Sequence, residues 1–90
     1  MKFEWDEAKN ASNIEKHGVR FEDAQAIFDG PVLTFEDTRH DYGEPRLNSI
    51  GSAEGVVILT VTHTDRQGIT RIISARPASR TERKRYEEEV

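Results

Sequence analysis

The chain has 90 residues, 33% charged and 34% hydrophobic, with no cysteine and a net charge of −4. That length bounds it to one domain, residues 1–90, with a thin core, so a partner that binds only the folded state would add to its stability. The absent cysteine excludes a disulfide-stapled secreted module, thiol catalysis and thiolate metal sites, and with neither a signal-peptide stretch in MKFEWDEAKN nor an apolar run near the roughly 18 residues that span a bilayer, a soluble cytoplasmic protein with no membrane contact is expected.

Lys2–Trp5 alternates and predicts a short strand with Phe3 and Trp5 on one face. Asp6 is placed to cap a helix that runs to His17 and stops at Gly18. Its apolar face is weak (Ala8, Ala11, Ile14), so it is expected at the edge of the core. Arg20–Asp29 predicts a second helix, with Phe21, Ala24, Ile27 and Phe28 at helical spacing, terminated by Gly30-Pro31. Val32–Glu36 predicts a strand, and a long polar loop, DTRHDYGEP, follows.

Three further strands are predicted at Arg46–Ser52, Val56–Thr64 and Ile69–Ala75, joined by the turns Ala53-Glu54-Gly55 and Asp65–Gly68. Val57, Leu59, Val61 and His63 share one face of the middle strand. Pro77 suits the first turn of a terminal helix that continues over Ala78–Glu89. The result is an α+β fold with an antiparallel meander, its apolar face covered by the second and last helices and its other face free for a ligand.

The charge is unevenly placed. Residues 1–45 hold five Lys/Arg against eleven Asp/Glu, whereas residues 46–90 hold eight against six. Between Arg66 and Tyr86 seven basic residues accompany one acid, Glu82. A local basic surface binds phosphates whatever the total charge, while the acidic half suits a basic partner.

Three stretches carry a family resemblance that spans nearly the whole chain. FEWDEAKNASNIEKHGVRFEDAQAIF resembles the opening of BrnT-type toxins through Phe3, Trp5, Asp6, Lys9, Asn13, Lys16, His17, Gly18, Val19, Phe21 and Ala24. RHDYGEPRLNSIG is similar to that family's Glu-x-Arg signature before a strand ending in Ile-Gly, and RIISARPASRTERKRYE to its closing signature. Pro77 is a mild departure. The resemblance implies a RelE-like fold and an endoribonuclease that blocks translation. It also implies a BrnA-like antitoxin with a DNA-binding domain, in a complex of two copies of each, and contact with operator DNA through that antitoxin alone.

Metal-free RNA cleavage needs activation of a ribose 2′-OH, cations on the scissile phosphate and protonation of the leaving 5′-oxygen. No cofactor and no metal are expected. Arg76 and Arg80 are the candidate phosphate clamps, because the guanidinium fork matches phosphate oxygens, with Arg46 from the neighbouring hairpin as a third. In a continuous helix Arg76 and Arg80 would share a face. His17 is the candidate for proton transfer, and equally a cap on the helix's negative end. Glu44 is a candidate base, held ionised if it pairs with Arg46, and otherwise a loop salt bridge. Lys16, Arg71, Arg83, Lys84 and Tyr86 are candidates for RNA contact, Tyr86 alternatively as a packed aromatic. His63 reads as a core histidine and His40 as a loop residue.

Two other readings stand beside the ribonuclease. One is a non-catalytic module that engages only an antitoxin or nucleic acid. The other is a metal-dependent phosphodiesterase built on Glu36, Asp37, His40, Asp41 and Glu44, an acidic set that solvation alone also explains.

Overall fold

A computed structural model describes residues 1–39 and 42–90. In chain order the elements are β1 (Lys2–Glu4), α1 (Glu7–His17), α2 (Phe21–Ala24), a 3₁₀ segment (Gln25–Asp29), β2 (Val32–Asp37), β3 (Arg46–Ala53), β4 (Val57–Arg66), β5 (Ile69–Pro77) and α3 (Arg80–Glu89). They form an α+β arrangement around one five-stranded sheet in the order β1-β5-β4-β3-β2. The meander β2 to β5 is antiparallel, and β1 adds to β5 in parallel, so the sheet is mixed.

Local chemistry sets the ends of these elements. The Asp6 carboxylate accepts the Ala8 N–H at 2.8 Å, and Gly18, at φ +70°, donates its N–H to the Ile14 carbonyl at 2.8 Å. The β4–β5 hairpin turns on Gln67 and Gly68, both at positive φ, the backbone that suits the twist of a two-residue turn.

The core joins Phe21, Ala24 and Ile27 to Leu59, Val61, Ile72 and Ala75, with Phe3, Trp5 and Phe28 packed against it. The expected second helix is short and passes into the 3₁₀ segment after Ala24. Three residues per turn keep Phe21, Ala24 and Ile27 aimed at the sheet, and all three are fully buried. Gly51 on β3 makes that approach possible, since a Cβ there would lie 2.9 Å from the Ile27 Cβ.

The expectation for α1 is corrected. Ala8, Ala11 and Ile14 are exposed, and the buried residues of the helix are Asn10 and Asn13. The Asn13 amide donates to the carbonyls of Val19 (2.9 Å) and Ala75 (2.8 Å), and its oxygen accepts the Ala75 N–H at 3.1 Å. Asn13 thus serves both backbone groups of Ala75 on a stretch of β5 that β1 does not reach. The Asn10 oxygen accepts the Phe21 N–H at 2.9 Å at the start of α2, and its amide donates to Glu22 at 3.0 Å. An apolar pattern cannot reveal a helix that docks through amides.

The terminal segment is corrected too. Pro77 closes β5 opposite Leu59, the Ala78 N–H reaches the Ile58 carbonyl at 3.0 Å, and α3 starts only after Ser79. Ser79 and Glu82 form a reciprocal capping box that fixes this start. Arg76 is therefore on a strand and Arg80 on a helix, and they share no helical face. Nor do the second and last helices share the apolar face as expected: opposite the Gly51 face, on which Ile27 sits, α3 packs against β2 and β3 on a second face, that of Thr60. Ile50, fully buried but outside the main core cluster, lies on that second face.

Asn13→Ala leaves three backbone groups without their partner, two of them on Ala75. It should lower unfolding free energy by about 2–6 kcal/mol in a denaturant titration, since each of the two buried Ala75 groups left unpaired costs about 1–3 kcal/mol.

Candidate active site

Alternation along the strands assigns Asp37, Arg46, Asn48, Thr60, Thr62, Ser74 and Arg76 to the face that α3 partly covers. Between the sheet and α3 lies a cavity of about 320 Å³, lined by Asp37, Arg39, Asn48, Arg76 and Glu82 beside Phe35. Two carboxylate–guanidinium pairs occupy its walls. Arg76 donates from Nη1 to Glu82 Oε1 at 2.6 Å and from Nη2 to Oε2 at 2.9 Å. Arg39 donates from Nε and Nη2 to the two Asp37 oxygens, each at 3.0 Å.

The capping box holds Glu82 from a second side. Its Oε1 accepts the Ser79 N–H at 2.8 Å and the Thr60 hydroxyl at 3.0 Å. The hydrogen bonds from Arg76 foremost, against the cost of burial, keep its carboxyl at about 2, well under the usual carboxylate range. Asp37 is likewise lowered, chiefly by the hydrogen bond from Arg39. Arg76 is raised, first by its hydrogen bond to Glu82, while the positive charge of Arg39 opposes that rise. Two cations thus face one small cavity, each braced by its own acid.

A second cavity, about 460 Å³, shares Glu36, Asp37 and Thr38 with the first and contains Arg46. The Arg46 guanidinium lies 3.7 Å from the Tyr42 ring centroid. Its Nε is buried without a hydrogen-bond partner among the described residues.

The other candidates from the sequence are distributed more widely. His17 and Lys16 line a separate pocket at the β5 edge with Lys9, Asn13, Ile73 and Ser74. Glu44 does not pair with Arg46: it accepts from Arg66 at 3.1 Å, because the β4–β5 hairpin carries Arg66 to it. Arg71 is bound to Glu4 of β1 at 2.7 Å, at the far end of β5 from Arg76. Arg80, Arg83 and Lys84 are exposed on α3. The Tyr86 hydroxyl donates to the Pro31 carbonyl at 3.3 Å, tying α3 to the entry of β2.

His63 is a satisfied core histidine. Its ring bonds Ser49 Oγ and Asp65 Oδ1, each at 2.8 Å, and packs edge-on to Phe28. The order Asp65–His63–Ser49 imitates a nucleophile relay, but Ser49 is fully buried and no substrate reaches it. His40 and Asp41, part of the acidic set considered for a cation, lie outside the described residues.

The sequence reading missed Arg39, Asp37 and Glu82 as partners of the site. For Glu82 a signal was present: Ser79 three residues before it is the spacing of a capping box. Arg39 and Asp37 carry no such signal, since they meet Arg76 only through the sheet register.

The stability contributed by Glu82 has a definite pH window. Its folded value is depressed to about 2 from an ordinary 4.5, so its stabilisation is present above 4.5 and is lost as pH falls toward 2. The stability gap between the wild type and Glu82→Gln should hold steady down to pH 5 and shrink below 4.5, measured by denaturant titration at each pH.

Comparisons with known proteins agree with this chain's architecture. Residues 5–82 match the family model described as the ribonuclease toxin BrnT of type II toxin–antitoxin systems. The crystal structure of the Brucella abortus ribonuclease toxin BrnT superposes with a TM-score of 0.66 at 34% sequence identity, over 89% of this chain and 99% of that one. No match was found among curated proteins. By the family match over most of its length, and by its likeness to the Brucella structure, the chain belongs to the BrnT ribonuclease toxin family of type II toxin–antitoxin systems.

Proposed function

We propose that this chain, residues 1–90 acting as one toxin domain, is a metal-independent endoribonuclease that inhibits translation and is neutralised by a cognate antitoxin. The observation that carries the reading is the pair of guanidinium groups, Arg76 and Arg39, facing one cavity on the open sheet surface. Two cations in a partly enclosed site suit a phosphoryl centre whose charge grows in the transition state. The RelE-like assignment belongs to the same proposal, supported by the antiparallel run β2 to β5 with α3 laid across it.

Arg76 grips the scissile phosphate, with Arg39 and Arg46 on its flank. Arg80, Arg83 and Lys84 on α3, and Arg71 and Lys16 near β5, attract the flanking backbone, and Tyr86 holds α3 in place for them. His17 is the proton-transfer group. It lies on α1, on the sheet face opposite Arg76, and lines a pocket with Ser74 at the free edge of β5, around which the RNA would have to pass. Glu44, ion-paired with Arg66, is the candidate base beside Arg46 in the neighbouring cavity. Attack of the 2′-oxygen on phosphorus expels the 5′-oxygen and leaves a 2′,3′-cyclic phosphate.

The partner in this proposal is a BrnA-like antitoxin whose DNA-binding domain carries the pair to operator DNA, two copies of each chain in the complex. An acidic antitoxin segment over the Arg76 cavity would silence the enzyme by occupying its cations.

Arg76→Ala should lower RNA cleavage by about 100-fold or more, as expected for loss of a transition-state cation, and should abolish growth arrest. Cleavage by the antitoxin-free protein should persist in EDTA; a strict need for added Mg²⁺ would favour the phosphodiesterase reading. His17→Ala should lower cleavage by about 100-fold or more, as expected for loss of a general acid–base group, and a variant that cleaves like the wild type would assign proton transfer elsewhere.

A further inference from the structure

We propose that Glu82 is a positioning residue for the ribonuclease reaction: it fixes the Arg76 guanidinium end-on so that its other edge stays open to the RNA phosphate. The inference rests on the reading of Arg76 as the phosphate clamp.

A guanidinium has two usable forks. The end-on fork, Nη1 with Nη2, is filled by Glu82. Nη1 also reaches the Pro77 carbonyl at 3.4 Å. The side-on fork, Nε with the second Nη2 hydrogen, has no acceptor among the described residues. The Arg76 side chain is 40% exposed, that of Glu82 18%. The side-on edge is therefore available to a bidentate oxyanion while the carboxylate stays in place.

Glu82 is itself held too firmly to be an adventitious surface partner. One of its oxygens takes the Ser79 N–H and the Thr60 hydroxyl in addition to Arg76. Those contacts come from the turn before α3 and from the centre of β4, so the position of the carboxylate is set by two elements at once. An arginine on a strand, free to rotate about four side-chain torsions, is thereby reduced to one orientation before the substrate arrives. A misplacement of about 1 Å in such a group costs on the order of 100-fold in rate. Across the cavity Asp37 holds Arg39 by its other, side-on fork, Nε with Nη2.

Glu82→Gln isolates this role. Glutamine preserves the capping box and still accepts from Thr60 and Ser79, but it replaces one fork oxygen by an amide that repels the guanidinium. With protein freed of its antitoxin and a labelled transcript bearing one cleavage site, kcat should fall on the order of 10- to 100-fold, with KM little changed. Arg20→Ala, which breaks an exposed ion pair with Asp23 at the start of α2, away from the cavity, should keep kcat. Thr60→Val, which removes one of the three donors to Glu82 Oε1, should lower kcat several-fold and serves if the glutamine variant does not fold. A glutamine variant that cleaves like the wild type would overturn the inference. So would one that cleaves faster, which would make Glu82 a blocking group displaced by RNA. If Arg76→Ala itself cleaves normally, the underlying reading of Arg76 fails instead.

Discussion

The structure depends on the side-chain amide of Asn13. It replaces a missing neighbouring strand at Ala75, taking that residue's N–H and C=O together, and it holds the Val19 carbonyl as well. One buried side chain thereby ties α1, the turn after it and β5 into a single unit. Without it the free stretch of β5 would be an unpaired edge, open to association with other strands. Asn10, one turn earlier, docks the start of α2 through the Phe21 N–H.

That constraint reaches the site through one peptide bond. Ala75 is fixed on the core face, so Arg76 must face the opposite side, toward α3. Register then decides its company. β4 delivers Thr60 opposite Arg76, β3 delivers Asn48, and β2 brings Asp37 opposite Arg46. The capping box of α3 supplies Glu82. The cavity is thus a product of sheet register and one helix start, and its charges are arranged before any ligand binds.

Much of the architecture was legible in the residues. Asp6 and Gly18 mark α1 because each satisfies a specific unpaired backbone group, and alternation from Val57 to His63 marks the buried face of β4. Legibility failed where tertiary contacts overrule local pattern. Ala8, Ala11 and Ile14 form a stripe, but the helix docks through asparagines, which a hydrophobic pattern treats as solvent-facing. Pro77 fits a helix start as well as a strand end, and only the ladder to Leu59 and Ile58 chooses between them. In the site, Arg76 and Arg46 were named as candidates from chemistry and position, and register sets both on the face that α3 partly covers. The pairing of Glu44 with Arg66, and the meeting of Arg39 with Arg76, follow from strand register over long sequence separations, which no local spacing encodes.

The most direct measurement is the structure of the antitoxin-free protein with an RNA whose 2′-hydroxyl at the cleavage position is replaced by hydrogen. The phosphate at that position should lie within hydrogen-bond distance, about 3 Å, of Arg76 Nε and Nη2, with the carboxylate of Glu82 still on the far edge of the guanidinium. A phosphate bound instead among Glu44, Arg66 and Arg71, or along the outer surface of α3, would contradict the account.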